Sequence, residues 1–148
     1  MKGKGIGVLV VLLILVAVLF VLVQFRDKGM DRTQEFGIIF NEETYFLKDY
    51  DLTSVELIDF LPPGDTDTMS GYTLPSLAKL CGLEWETVQE VYLSSDDGSK
   101  IKLSLIEATQ GEVLLVPFKE NPLRFRVVFP LDEFRNRWLK NIYLMELL

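Results

Sequence analysis

Hydrophobic positions follow two regimes along the chain. From Ile6 to Val23 it reads IGVLVVLLILVAVLFVLV, with no charge and only Gly7 to dilute the run. As a helix rising about 1.5 Å per residue this stretch spans about 27 Å, and Gln24 and Phe25 carry it towards the roughly 30 Å hydrocarbon core of a bilayer. Residues 1–25 are therefore expected to be a basic tail and transmembrane anchor, with the membrane segment at 6–25, whose backbone bonds internally and strands no polar group in lipid. Lys2 and Lys4 also suit the start of a secretory signal. The apolar run exceeds a usual signal core, however, and Val23-Gln24-Phe25-Arg26-Asp27 offers no small-x-small cleavage site, which favours an uncleaved anchor.

After a polar, glycine-containing tether at 26–35, apolar residues return in short runs, and the pattern predicts a β-rich soluble domain at 36–148. Phe36–Phe40 and Thr44–Leu47 read as strands around an Asn41-Glu42-Glu43 turn, and Val55–Phe60 alternates apolar with acidic residues. Two prolines and a glycine make 61–71 a loop. Thr73–Leu83 is the best helix in the soluble part: Thr73 or Ser76 can cap it, Pro75 suits its first turn, and Leu77, Leu80 and Cys81 recur at helical spacing before Gly82. Residues 88–108 form the clearest hairpin, turning at Asp97-Gly98. Glu112–Phe118, Leu123–Phe129 and Asn141–Leu147 are three further strands.

Charge sharpens this division. The 148-residue chain has a net charge of −7, but the first 25 residues hold two lysines and no acid. Residues 26–148 thus carry 13 basic and 22 acidic side chains, a net charge of −9. That negative field, with no long basic stripe, argues against nucleic acid as a partner. On the membrane flanks, Lys2, Lys4 and the amino terminus nearly balance Arg26, Lys28 and Arg32. A short basic tail ahead of a first helix favours the amino terminus inside and an extracytoplasmic domain at the cell membrane.

The chain contains no histidine and one cysteine, Cys81. Serine–histidine and cysteine–histidine catalysis, imidazole proton shuttling and Cys/His zinc sites are excluded within one chain, as is an intramolecular disulfide. Cys81 falls on the leucine face of its helix near the carboxyl end, where the helix dipole opposes a thiolate, so it is read as a core residue. Asp65-x-Asp67 lacks the glycine and closing glutamate of a calcium loop. Glu84 with Glu86, and Asp132 with Glu133, read as surface charge, because sequence proximity does not make carboxylates converge in a cleft. No catalytic residue and no metal ligand is assigned.

One stretch runs against the domain's negative balance. Residues 119–140 hold Lys119, Arg124, Arg126, Arg135, Arg137 and Lys140 against Glu120, Asp132 and Glu133. Such a patch can receive a phosphate or an acidic partner through guanidinium contacts, with Arg135, Arg137 and Lys140 as the candidate cofactor-binding group. Alternatively it pairs with the domain's own excess acids.

From Gly71 to Leu148 the chain resembles the molybdopterin-binding domain of the sulfite oxidase superfamily. The likeness lies in the order of features: TLPSLAKLCGL, then VYLSSDDGSKIKLSL, the pair EVLLVPF and LRFRVVFP, and the closing RWLKNIYLMEL, in which Pro130, Trp138, Lys140 and Ile142 fit the family's ending. The resemblance implies an α+β, mostly β fold. In the family's enzymes one protein cysteine and pterin sulfurs hold molybdenum. Cys81 sits in the helix LAKLCGL, not in a polar loop with arginine neighbours, and the family's cofactor histidines have no counterpart; only Lys140 matches a lysine near the pterin. The resemblance therefore implies a cofactor-free relative, a membrane-anchored, non-catalytic binding or scaffolding module that holds a protein partner near the bilayer. The alternatives are a reduced molybdopterin-dependent oxidoreductase using Cys81 and the basic patch around Arg135, Arg137 and Lys140, and a purely structural envelope subunit.

Overall fold

The computed structural model describes residues 35–132 and 135–148. The expected membrane segment 6–25 and most of the tether lie outside the described residues; among those that are described, no helix is long and apolar enough to cross a membrane.

The described chain is mostly β, with short helices, as the alternating pattern predicts. Strands β1 (Phe36–Phe40) and β2 (Glu43–Leu47) form an antiparallel hairpin. Asn41 and Glu42 turn it with φ of 50° and 67°, the left-handed pair that matches the twist of a two-residue hairpin. A four-residue helix, α1 (Asp49–Leu52), follows. The Asp51 carboxylate accepts from the Lys48 N–H at 2.7 Å and so holds one donor at the helix start.

The acidic alternation at 55–60 yields a strand only at its end, β3 (Ile58–Phe60). The Val55 N–H instead donates to the Leu52 carbonyl, which keeps the chain coiled as it leaves α1. The loop expected at 61–71 stops early, because Met69–Gly71 begin β4 (Met69–Thr73), which β3 and a distant strand both hold by pairing. Helix α2 (Leu74–Leu80) starts where Thr73 Oγ1 accepts from the Ser76 N–H and carries Pro75 in its first turn. It is shorter than the expected 73–83 span, since Cys81 is its C-cap and Gly82 takes φ +72° just beyond.

The second hairpin joins β5 (Glu90–Ser95) to β6 (Lys100–Ser104) around Gly98 at φ +88°. Its expected second arm does not continue past Ser104. Ser104 and Glu107 form a reciprocal capping box that starts α3 (Leu105–Thr109). The final strands are β7 (Leu114–Pro117), β8 (Phe125–Val128) and β9 (Ile142–Leu147).

Among the described residues nine strands form one sheet in the order β2-β1-β9-β8-β7-β4-β3, and β9 also pairs with β5, which carries β6. All pairings are antiparallel except β1 with β9, which is parallel. β9 is thus the hub: Ile142 faces Phe125 of β8, Gly37–Phe40 of β1 take Leu144–Leu147, and β5 runs along the strand. Parallel pairing at Gly37 is close, since a Cβ there would stand 2.8 Å from Leu144 Cδ1. Alternation fixes the buried face: Val91, Leu93, Phe125, Val127, Met145 and Leu147 are all fully buried, while Glu90, Tyr92 and Glu146 point outward as a charged ladder with Lys100 and Lys102. At the centre, Phe125 meets Phe36 edge-on at 4.9 Å and Tyr72 at 6.2 Å. Such packing contributes about 0.5–1.5 kcal/mol beyond area burial. The described residues lie within a single compact unit, Thr33–Leu148.

Candidate functional site

The basic segment 119–140 divides into two places that differ in how their charges are held. The first is the loop between β8 and β9. Leaving β8, the chain buries Phe129, reaches the exposed Leu131, and makes a 3-10 turn at Arg135–Arg137. Arg137 is its pivot. Its Nε and Nη2 donate to the two carboxylate oxygens of Asp132, each at 2.8 Å, and its Nη1 donates to Glu107 Oε1 at 2.6 Å. The guanidinium lies 3.8 Å from the Phe129 ring centroid. Arg135 reaches the Pro-Gly loop, with Nη2 2.6 Å from Asp65 Oδ2, and lies over the Trp138 ring.

These contacts define the local electrostatics. The Arg137 hydrogen bonds hold the carboxyls of Asp132 and Glu107 below their ordinary range and push the guanidinium above its own. One cation between two anions leaves a negative balance. Of the two readings of the patch, pairing with the domain's own acids describes Arg135 and Arg137. Lys140 has an exposed side chain, and its carbonyl accepts from the buried Ser95 hydroxyl at 2.7 Å, which pins the end of the loop to β5.

The second place is the β7–β8 hairpin, whose two arginines have opposite surroundings. Arg124 is buried; its Nη1 donates to the carbonyls of Glu35 and Leu123, and it lies over Tyr143. It is not part of an exposed patch. Arg126 lies over the Phe118 ring and lines a cavity of about 280 Å³ with Val116, Pro117, Lys119 and Glu120. Its Nε is buried without an acceptor among the described residues, as is Trp138 Nε1.

Cys81 stands apart from both. It is half-buried against the hydrophobic core, and burial, with a smaller contribution from Asp51, pushes its thiol above the ordinary range. Among the described residues no hydrogen bond or ion pair joins it to Arg135, Arg137 or Lys140. Asp65 is taken by Arg135, and no group of three or more metal-ligating side chains occurs among the described residues. A larger open cleft, about 610 Å³, lies between the β1–β2 hairpin and residues 82–87, bordered by Phe40, Glu43, Tyr45 and Glu84. Tyr45 donates to Glu43 there, and that bond raises its phenol pKa.

Sequence reasoning named the arginines but missed their partners Glu107 and Asp65. Glu107 was signalled by the Ser104-x-x-Glu107 capping pattern, which places a carboxylate at a helix start; nothing local signalled Asp65. No family model matches the chain, and no curated protein matches it.

Proposed function

We propose that this chain is a single-pass membrane-anchored, non-catalytic binding module whose β-rich domain has the sulfite-oxidase-like fold. The fold reading is supported by the order in which α2, the β5–β6 hairpin, the β7–β8 pair and β9 follow one another within one mixed sheet. The anchor reading is supported by the uninterrupted apolar run at 6–23.

The observation that carries the non-catalytic reading is the surroundings of Cys81. A molybdenum ligand must be a thiolate, which nearby cations favour. Cys81 instead caps a helix carboxyl end against apolar side chains, and its charged neighbour is Asp51. Of the three basic residues that would hold the pterin's anionic groups, Arg135 and Arg137 are occupied by Asp65, Glu107 and Asp132, which leaves Lys140 alone. The residues present do not fit molybdopterin. An extracytoplasmic domain with a paired, hydrogen-bonded surface and exposed apolar residues such as Ile106 and Leu131 suits contact with a protein partner near the bilayer.

The test is purification of the full-length chain from its native membranes in detergent. Resistance of the membrane-bound chain to carbonate extraction, only trace molybdenum by elemental analysis, no pterin fluorescence after denaturation, and a reproducible cross-linked adduct in intact membranes are expected. One molybdenum per chain would overturn the non-catalytic reading, release by carbonate the anchor.

A further inference from the structure

We infer that the cavity at the β7–β8 turn is a carboxylate-binding pocket, in which Arg126 takes the carboxylate and the Pro117–Phe118 wall takes the apolar group attached to it. Strand register builds this arrangement. Val116 pairs with Arg126 and Pro117 with Phe125, and the Phe118 N–H donates to the Arg124 carbonyl at 3.0 Å, closing the hairpin. The Arg126 guanidinium is thereby held 5.5 Å from the Phe118 ring centroid, at the edge of a cavity of about 280 Å³.

Arg126 is distinguished by what it lacks. In a domain with nine excess acids, Arg135, Arg137, Lys100 and Lys102 each hold a carboxylate, whereas Arg126 and Lys119 have none within ion-pair distance among the described residues. The Arg126 Nε is buried without an acceptor among those residues. A buried donor left unpaired is unfavourable, more so when charged, and an anion binding to the guanidinium offsets that cost.

The lining selects among anions. A guanidinium fork matches the two oxygens of a carboxylate. Arg126 and Lys119 against Glu120 leave one net positive charge, which suits a monoanion better than a phosphate dianion. Val116, Pro117 and Phe118 supply apolar walls, and the volume sits near the lower end of small-molecule sites. The carboxylate belongs either to a small apolar acid or to the carboxyl terminus of a partner peptide. The site deepens the binding-module reading and takes its role from it.

The test uses full-length protein in non-ionic detergent with ¹⁵N-labelled arginine and phenylalanine, following the Arg126 Nε–H and Phe118 backbone amide resonances while benzoate, inorganic phosphate, or a short peptide ending in Phe is added, the peptide as free acid and as amide. Benzoate, the free-acid peptide or both should shift the resonance saturably with a midpoint of about 1 mM or tighter. Phosphate and the amide should bind at least about tenfold more weakly. Benzoate alone marks a small-molecule site, and a tighter free-acid peptide marks a partner's terminus. Lys119→Gln, on the rim, should weaken binding about threefold. Arg126→Gln should remove the saturable response of the Phe118 backbone amide. An Arg126 resonance unmoved by benzoate and free-acid peptide alike, phosphate binding more tightly than either, or an unchanged response in Arg126→Gln would overturn the pocket; should Arg126→Gln not fold, the direct Arg126 signal and Lys119→Gln decide. Molybdenum content, which decides the module reading, is independent of this titration.

Discussion

Arg124 Nη1 donates to the Glu35 carbonyl at 2.9 Å, tying the start of β1 to a residue 89 positions later at the mouth of β8. The guanidinium is buried, bonds a second carbonyl at Leu123, and lies over Tyr143 on the neighbouring strand. Burial pushes its pKa down, yet a guanidinium remains charged at any ordinary pH. The bond fixes where the chain enters the sheet, because β1 must lie parallel to β9 and has only five residues with which to find its register.

Replacing Arg124 with Gln therefore leaves the Glu35 carbonyl without this donor. Hydrogen bonds from charged donors contribute about 1.5–3 kcal/mol, so a loss of about 2–3 kcal/mol is expected in denaturant unfolding of the full-length protein in detergent. Arg126→Gln, whose side chain bonds no protein acceptor among the described residues, should cost less than about 1 kcal/mol. Equal losses for the two would remove Arg124's structural role.

The Arg137 cluster predicts an acid-labile contribution to stability. Glu107 and Asp132 have folded-state pKa values below their unfolded ones, the main cause in each being the Arg137 hydrogen bond. Their contribution is thus complete above the unfolded values, near about 4.3 and 3.9, and is lost as pH falls through the lower folded values. Carboxyl ¹³C titration should show both midpoints rising towards ordinary values in Arg137→Gln, with a flatter fall of melting temperature on acidification. Unmoved midpoints would show that the bidentate contact is not kept in solution.

What could be read in advance depended on whether a signal was local. The Asp97-Gly98 hairpin and the Thr73-capped helix were legible because alternation, turn chemistry and capping lie within a dozen residues. β4 was not, since Met69-Ser70-Gly71 has no alternation and is held in the sheet by pairing with β3, while β7 pairs with the Tyr72-Thr73 end of the strand. At Leu105–Thr109 the apolar run suited strand and helix alike, and the Ser104–Glu107 box decided for helix. The same rule divides the site. Arg135 and Arg137 were visible as charges in excess, but Glu107 and Asp65 come from segments 30 and 70 residues away. The pairing of Val116 with Arg126 follows from hairpin register and was within reach once the β7–β8 turn was placed.

Cys81 should behave as a sluggish thiol. Burial and Asp51 both raise its pKa, so at neutral pH less of it is thiolate than in an unstructured peptide, and the thiolate is the reacting form. Alkylation by iodoacetamide in the folded full-length chain should be slower than for a free cysteine at the same pH and should quicken on raising pH. Asp51→Asn should accelerate it at fixed pH, by less than unfolding does, because desolvation is the larger cause. Alkylation as fast as a free thiol would return Cys81 to consideration as a nucleophile and weaken the non-catalytic reading.

The β1–β2 turn stores strain that a single substitution can release. Asn41 tolerates φ of 50°, but Glu42 holds φ of 67° with an exposed side chain that makes no contact to justify it among the described residues. A left-handed conformation costs a non-glycine residue about 1–2 kcal/mol, while glycine adds about 0.5–1 kcal/mol of unfolded-state entropy. Glu42→Gly produces the Asn-Gly pair that such two-residue turns prefer and should stabilise the full-length chain by about 0.5–1 kcal/mol. The gain would be read as a higher denaturant midpoint at unchanged slope, since neither the buried face of β1 nor its register with β9 is altered. Glu42→Ala, which keeps the strain while removing the same carboxylate, separates the backbone effect from charge: it should leave the midpoint nearly unmoved, and a gain equal to that of glycine would assign the stabilisation to the lost charge.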